Sequence, residues 1–208
     1  KILLVIDSLF GGGAEKMVTD LAVHLNKKKY KIFLCSLNAY NGSISYFNKY
    51  GIKVFILNKK KGPDFSVIFK IYKILKTEKI DILHTHLFSS NFYGRIAGIL
   101  ARTPIMIANE HSISSGLKTK KHLFIDKILS VFTDKIVAVS NAVKDDCINR
   151  QKIPSSKLLT IHNGVDPYKF DPKLFSVEHK KLDFVIGYFG RFTYVKNLIF
   201  LLGAFIKL

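Results

Sequence analysis

Short apolar runs alternate with longer stretches of helical periodicity along most of the chain. Ile2–Ile6, Ile32–Leu37, Val54–Leu57, Ile80–His84, Ile105–Ala108, Lys135–Val139 and Leu158–Ile161 read as strands. Between them lie helical patterns at Ala14–Asn26, from an Asp64 cap to about Lys76, from about Ser90 to Ala101, and at Leu117–Phe132, with Ser140 capping one more. Apolar strands separated by helices predict an α/β fold: a doubly wound, Rossmann-like parallel sheet covered on both faces.

The pattern changes around Asp166–Lys181, where Pro167 and Pro172 sit among charged residues without a clear period. A new strand at Phe184–Phe189 then runs into Gly190, Arg191 and a helix from about Val195. The expected division is residues 1–168 as a first domain, 169–182 as a linker and 183–208 as the incomplete beginning of a second. One βα unit cannot bury its own apolar face.

With 208 residues the chain can bury a real core. Its longest apolar stretch, Leu198–Ile206, is too short to span a bilayer, and Asp7 interrupts the N-terminal run too early for a signal peptide. These features predict a soluble or peripheral protein. Cys35 and Cys147 lie far apart without metal-ligand spacing and read as reduced core thiols of a cytosolic protein. The net charge of +18, from 33 Lys and Arg against 15 Asp and Glu, points to an anionic partner: nucleic acid, a membrane face or a small substrate.

Ligands of doubly wound sheets bind beyond the carboxyl ends of the strands. That rule selects Gly11–Gly13, His84–His86, Asn109–His111, Asn163–Asp166, and Arg191 with Lys196. Glycine tolerates φ > 0 and close backbone approach, and the free N–H groups of a helix start suit a phosphate. A plain flexible connection explains the triple glycine equally well, because it is neither G-x-G-x-x-G nor a Walker loop. His84 and His86 read as facing opposite ways along a strand end, a poor metal pair, with His86 either reaching a cleft or serving as a structural histidine. Glu110 beside His111 suits acid–base work or a contact to a sugar hydroxyl. Asn163-Gly164 has turn chemistry that tolerates φ > 0. Arg191 and Lys196, between a strand and a helix start, would hold a diphosphate. The sequence shows no Gly-x-Ser-x-Gly elbow, no His-Glu-x-x-His and no metal constellation.

Gly12-Gly13-Ala14-Glu15, Asp81-Ile82-Leu83-His84-Thr85-His86, Glu110-His111, Val137-Ala138-Val139-Ser140, Asn163-Gly164-Val165-Asp166 and Gly190-Arg191 with Lys196 occur in that order. Together they resemble family 4 of the retaining, nucleotide-sugar-dependent glycosyltransferases, which have the GT-B fold. The resemblance covers essentially the whole chain. It implies an acceptor-side N-terminal domain facing a donor-side domain across a cleft. It places Gly12 and Gly13 near the donor diphosphate, Arg191 and Lys196 as its clamp, and His111 against the transferred sugar. His86, Glu110 and Asn163 would line the cleft. It implies a UDP- or GDP-linked donor, no cofactor and no bound metal, cations and helix dipoles doing that work. Transfer would retain anomeric configuration by front-face attack. The family has glycine after the lysine, where this chain has Asn197. Its Glu-x7-Glu region would lie further on than Leu208, so this stretch alone is expected neither to bind donor tightly nor to turn over.

Many enzymes of that family extend lipid-linked sugars at the inner membrane face. The resemblance therefore implies a glycan or lipid-linked acceptor in surface polysaccharide or glycolipid assembly, and a cytoplasmic protein able to sit on the inner face of the plasma membrane. Lys70, Lys73 and Lys76 in one helix, and Lys118, Lys120 and Lys121 beside Leu123, Phe124, Ile128 and Phe132 in another, fit an anionic surface. A solvated lysine face over an apolar core face fits them better still. Rival readings are a dinucleotide-dependent oxidoreductase or epimerase, a basic nucleic-acid-binding module, and a truncated relic that only binds. The scattered lysines and the lack of a recognised motif argue against specific nucleic-acid binding.

Overall fold

Ile2–Ile6 form the first strand, β1, and every one of its five side chains is buried. The alternation of a strand sends them to opposite faces. Leu3 and Val5 join a core with Phe33, Cys35, Leu83, Val67, Ile71, Tyr93 and Ala97, whereas Ile2, Leu4 and Ile6 join another with Val18, Ala22, Ile32, Leu34 and Phe47. One strand serving two cores is the physical content of a doubly wound sheet, and the expected fold class is the observed one. The computed structural model describes residues 1–9, 11–25, 28–38, 44–114, 118–168, 170–174, 186–190, 192–193 and 196–207.

Seven parallel strands follow the order β3-β2-β1-β4-β5-β6-β7. They are β1, β2 (Ile32–Ser36), β3 (Lys53–Ile56), β4 (Ile82–His86), β5 (Ile105–Glu110), β6 (Lys135–Ala138) and β7 (Leu158–Thr160). Helices α1 (Gly13–His24), α2 (Ser45–Asn48), α3 (Ser66–Thr77), α4 (Phe88–Ala101), α5 (Lys120–Val131) and α6 (Asn141–Asn149) connect them. The short α2 has no counterpart in the sequence reading. β4 runs two residues further than expected, so both His84 and His86 belong to it. Sequence order reverses between β1 and β4, where a ligand crevice is expected.

Local chemistry accounts for the helix ends. Ser140 Oγ accepts the Val143 N–H at 3.3 Å, the expected cap on α6. Asp64 accepts the Ser66 N–H at 3.2 Å and the Ser66 hydroxyl at 2.6 Å, one residue ahead of the Phe65 that opens α3. Helix α4 lies close on the sheet because Gly98 faces it: a Cβ there would come within 2.7 Å of Leu83 Cδ2. Both cysteines are free and buried, and burial pushes each thiol up to about 12.

The two lysine-bearing helices behave differently. In α3, Val67, Ile68, Ile71, Ile74 and Leu75 are buried while Lys70, Lys73 and Lys76 are exposed, the ordinary amphipathic arrangement. In α5 the arrangement is inverted. Asp126, Leu129 and Ser130 face inward, and Phe124, Ile128 and Val131, with Phe132 just beyond, face solvent. Among the described residues, no helix is long and apolar enough to cross a membrane.

The chain divides into two compact units, Lys1–Gly164 and Val165–Leu208. In the second, Pro172–Leu174 form a 3-10 turn and Leu198–Phe205 form α7. Of the strand expected at Phe184–Phe189, residues 184–185 lie outside the described residues, and Ile186–Phe189 carry no ladder. Arg191 and Val195 also lie outside the described residues.

Candidate active site

The cleft forms where β1, β4 and β5 end. It has a volume of about 310 Å³ and is lined by Asp7, Leu87, Phe88, Glu110, His111, Ser112, Ile113, Ser114 and Lys118. Asp7 follows β1 directly, Leu87 follows β4 and His111 follows β5, so strand geometry alone brings these three sequence-distant residues together.

Asp7 builds the turn between β4 and α4. Its carboxylate accepts the backbone N–H groups of Ser89 at 3.1 Å and Ser90 at 2.6 Å, and the Ser90 hydroxyl at 2.6 Å. The residue that opens α4 is Leu87, whose side chain cannot cap. Asp7 supplies the cap from a neighbouring strand and fills the anion position of that helix start. Leu87 itself sits at φ 71°, ψ 171°, a region that favours glycine. Sequence reading had found in Asp7 only an interruption of an apolar run. Its place one residue past a buried strand was the available signal.

Glu110 and His111 were expected to work together, and their side chains diverge. Glu110 accepts from Asn91 Nδ2 at 3.1 Å and from Lys118 Nζ at 3.1 and 3.0 Å. Lys118 Nζ also donates to Asp126 Oδ2 at 2.8 Å, and Asp126 pairs with the buried Arg95. Burial pushes the Glu110 carboxyl up, against the pull of Lys118. Burial lowers Lys118, but Glu110 and Asp126 outweigh it and hold its ammonium above the ordinary lysine value. Lys118 is therefore not part of a solvated lysine face: its side chain is 7% exposed. Its ammonium, with the Asp146 carboxylate that accepts the Ser114 N–H at 2.9 Å, anchors the wall of the cleft.

His84 and His86 share a face of β4, with ring centroids 4.1 Å apart. The expectation that they point opposite ways misapplied the strand period: residues two apart lie on the same side. His86 is fully buried beneath His111, its Nδ1 3.3 Å from His111 Nε2. Asn109 stands between His84 and His111, at 3.3 and 3.4 Å. Burial pulls His84 down to about 4, with the Asn109 hydrogen bond opposing, and pulls His111 down to about 4. His86 is held well below its ordinary value by burial and by its two histidine neighbours. All three rings are neutral near pH 7. Among the described residues, no group of three or more His, Cys, Asp or Glu side chains is arranged to hold a metal ion.

The remaining candidates lie elsewhere. Gly12 opens α1 at φ −94°, and none of Gly11, Gly12 and Gly13 takes a positive φ. A Cβ at Gly12 would collide with the Glu15 carboxylate, which folds back over the loop and accepts from Ser8 Oγ at 3.2 Å. Asn163 is exposed, does not line the cleft, and neither it nor Gly164 uses φ > 0. In the second unit Lys196 is exposed, and Asn197 opens α7 at φ 47°, ψ 47°. That is the left-handed conformation glycine would supply, and asparagine is among the few other residues that adopt it readily.

Residues 11–169 match the model of Glycosyltransferase Family 4. The UDP-Gal:alpha-D-GlcNAc-diphosphoundecaprenol alpha-1,3-galactosyltransferase of Escherichia coli is 34% identical over 53% of this chain and 30% of its own length. The capsular polysaccharide biosynthesis glycosyltransferase CapH of Staphylococcus aureus is 28% identical over 98% of this chain and 57% of its own length. The chain spans about half the length, or less, of these curated relatives. Among solved structures, a glycosyltransferase from Rickettsia africae ESF-5 aligns with a TM-score of 0.70 and 23% identity, covering 84% of this chain and 46% of that one. Anabaena Alr3699/HepE in complex with UDP aligns at 0.64 and 21%, covering 81% and 45%. The sheet order and these alignments give the Rossmann-like fold of a GT-B N-terminal domain, and the family match carries the rest: the chain belongs to glycosyltransferase family 4.

Proposed function

We propose that the whole protein is a retaining glycosyltransferase that moves a sugar from a UDP- or GDP-linked donor to a glycan or lipid-linked glycan in surface polysaccharide or glycolipid assembly. The unit Lys1–Gly164 supplies the acceptor side. The observation that carries this is the cleft at the reversal of strand order, lined by Asp7 and His111, in a chain of this family. Relatives named for undecaprenol-linked and capsular glycans support the acceptor class.

In this scheme His111 contacts the transferred sugar, Gly12 and Gly13 lie near the diphosphate, and Arg191 and Lys196 clamp it. Glu110 acts from the cleft wall and His86 from beneath it, and Asn163 belongs to the exit from the first unit. Residues 183–208 begin the donor side, after a linker at 169–182. The leaving diphosphate helps to deprotonate the acceptor, and no metal takes part.

The inverted α5 supports a peripheral seat on an anionic membrane. On a helical projection its exposed Phe124, Ile128, Val131 and Phe132 form one stripe, with Lys120 and Lys127 along one edge and Lys121 within it, between Ile128 and Phe132. Apolar insertion flanked by lysines is the chemistry of a basic interfacial helix.

The test is a donor screen on the full-length protein beside this 208-residue chain, following nucleoside diphosphate release from UDP- and GDP-sugars. Release by the long form that survives a chelator and falls at least about a hundredfold in His111→Ala or Arg191→Ala is the expected result. No release from any donor, with lipid-linked acceptors present, would overturn the transferase assignment.

A further inference from the structure

The histidine cluster beneath the cleft determines which hydrogen-bonding group His111 offers. Asn109 Oδ1 lies 3.3 Å from His84 Nε2, and Asn109 Nδ2 lies 3.4 Å from His111 Nε2. An amide oxygen only accepts and an amide nitrogen only donates. His84 therefore carries its proton on Nε2, and His111 Nε2 is bare. His86 Nδ1, 3.3 Å from the same His111 Nε2, must then be the donor of that contact. This leaves His86 Nε2 as a lone pair, and that atom is buried without a hydrogen-bond partner.

Turning the Asn109 amide round reverses every proton in the chain. His111 would then donate from Nε2, and His86 would be left with an unpaired, fully buried N–H. A buried orphan donor is the rarer and costlier of the two. The first arrangement is favoured.

We propose that Asn109 and His86 are positioning residues that lock neutral His111 in its Nδ1–H tautomer, so that the cleft presents a hydrogen-bond donor to a ligand oxygen rather than a base. Both nitrogens of His111 are then assigned: Nε2 is engaged from below by Asn109 and His86, and Nδ1–H is the group the network leaves over. The placement on the ligand rests on the transferase assignment above, whereas the tautomer does not. Its consequence for that assignment is that His111 removes no proton from the acceptor. The role fits a reaction in which the leaving diphosphate takes it.

Long-range proton–nitrogen correlation spectra of the chain labelled with 15N-histidine test this without any activity, His111 being assigned by its loss in His111→Gln. The expected spectrum at pH 7 shows His111 protonated on Nδ1 and bare on Nε2, with a tautomer ratio of about tenfold or more, the bias that roughly one net hydrogen bond supplies. In Asn109→Asp the new carboxylate can only accept, so His111 should switch to Nε2–H. In Asn109→Leu only the His86 Nδ1–H contact remains to hold His111, so the bias should weaken without reversing. Wild-type His111 protonated on Nε2, or a ratio unchanged in a folded Asn109→Leu, would overturn the proposal. Absence of transferase activity in the full-length protein would leave these spectra as they are.

Discussion

Asp126 of α5 is ion-paired with Arg95 of α4 where both side chains are buried, and the same carboxylate accepts from Lys118 at 2.8 Å. With Glu110 the group holds two cations and two carboxylates, all nearly buried in the wall of the cleft. Such a group adds little net stability when whole, but losing one member strands the others. Asp126→Ala leaves two buried cations facing Glu110 alone, and the expected loss is about 3–5 kcal/mol in urea unfolding. A loss below about 1 kcal/mol would mean that water reaches the group.

Leu87 holds φ 71° and ψ 171° at the mouth of the cleft. Comparing Leu87→Ala with Leu87→Gly brings out the backbone term, since the two differ by a single methyl group. Elsewhere in a chain glycine is the less stable of the two. Here the order should reverse, with Leu87→Gly more stable than Leu87→Ala by about 1 kcal/mol or more. Thermal melts of the two variants decide it, and the ordinary order would show that Leu87 carries no strain.

The frame of the molecule was legible because it depends on periodicity. Apolar runs such as Ile2–Ile6 and Ile32–Ser36 have no polar side to show, which marks strands buried on both faces, and Ser140 marked its helix start by side-chain chemistry. What failed to show was whatever depends on tertiary placement. Lys118 looks like any surface lysine until Glu110 and Asp126 arrive from two other elements. The inversion of α5 was hidden for the same reason. Its period is that of an ordinary amphipathic helix, but the buried partners of Asp126 turn that residue inward and leave Phe124, Ile128 and Val131 outside. His84 and His86 were legible, and only their relative direction was misread.

The depressed histidines make stability depend on pH in a known direction. An unfolded histidine takes up its proton near pH 6.5, while folded His84 does so only near 4. Between those values the unfolded state binds more protons, so stability is complete above about 6.5 and falls as pH drops towards 4. The slope attributable to His84 is at most about 1.4 kcal/mol per pH unit. Urea unfolding of wild type and His84→Asn at pH 7 and 4.5 isolates it: the variant should lose less stability than wild type on acidification. Equal losses would mean that folded His84 titrates normally.

Helix α5 gives a prediction in which stability and binding separate. Phe124 is 64% exposed and Leu129, on the same helix, 6%. Leu129→Ala should cost about 2–5 kcal/mol as a core truncation, whereas Phe124→Ser should stay within about 0.5 kcal/mol of wild type. If the stripe seats the protein on a bilayer, binding follows the opposite order. Phe124→Ser, and Lys120→Glu with Lys121→Glu, should weaken flotation with vesicles rich in anionic phospholipid while leaving the fold intact. The lysine variant's defect should shrink as salt rises, because screening removes the same attraction from wild type. Wild-type protein that ignores lipid charge would remove the membrane from this picture. Folded variants that float like wild type would move the contact to another face of the molecule.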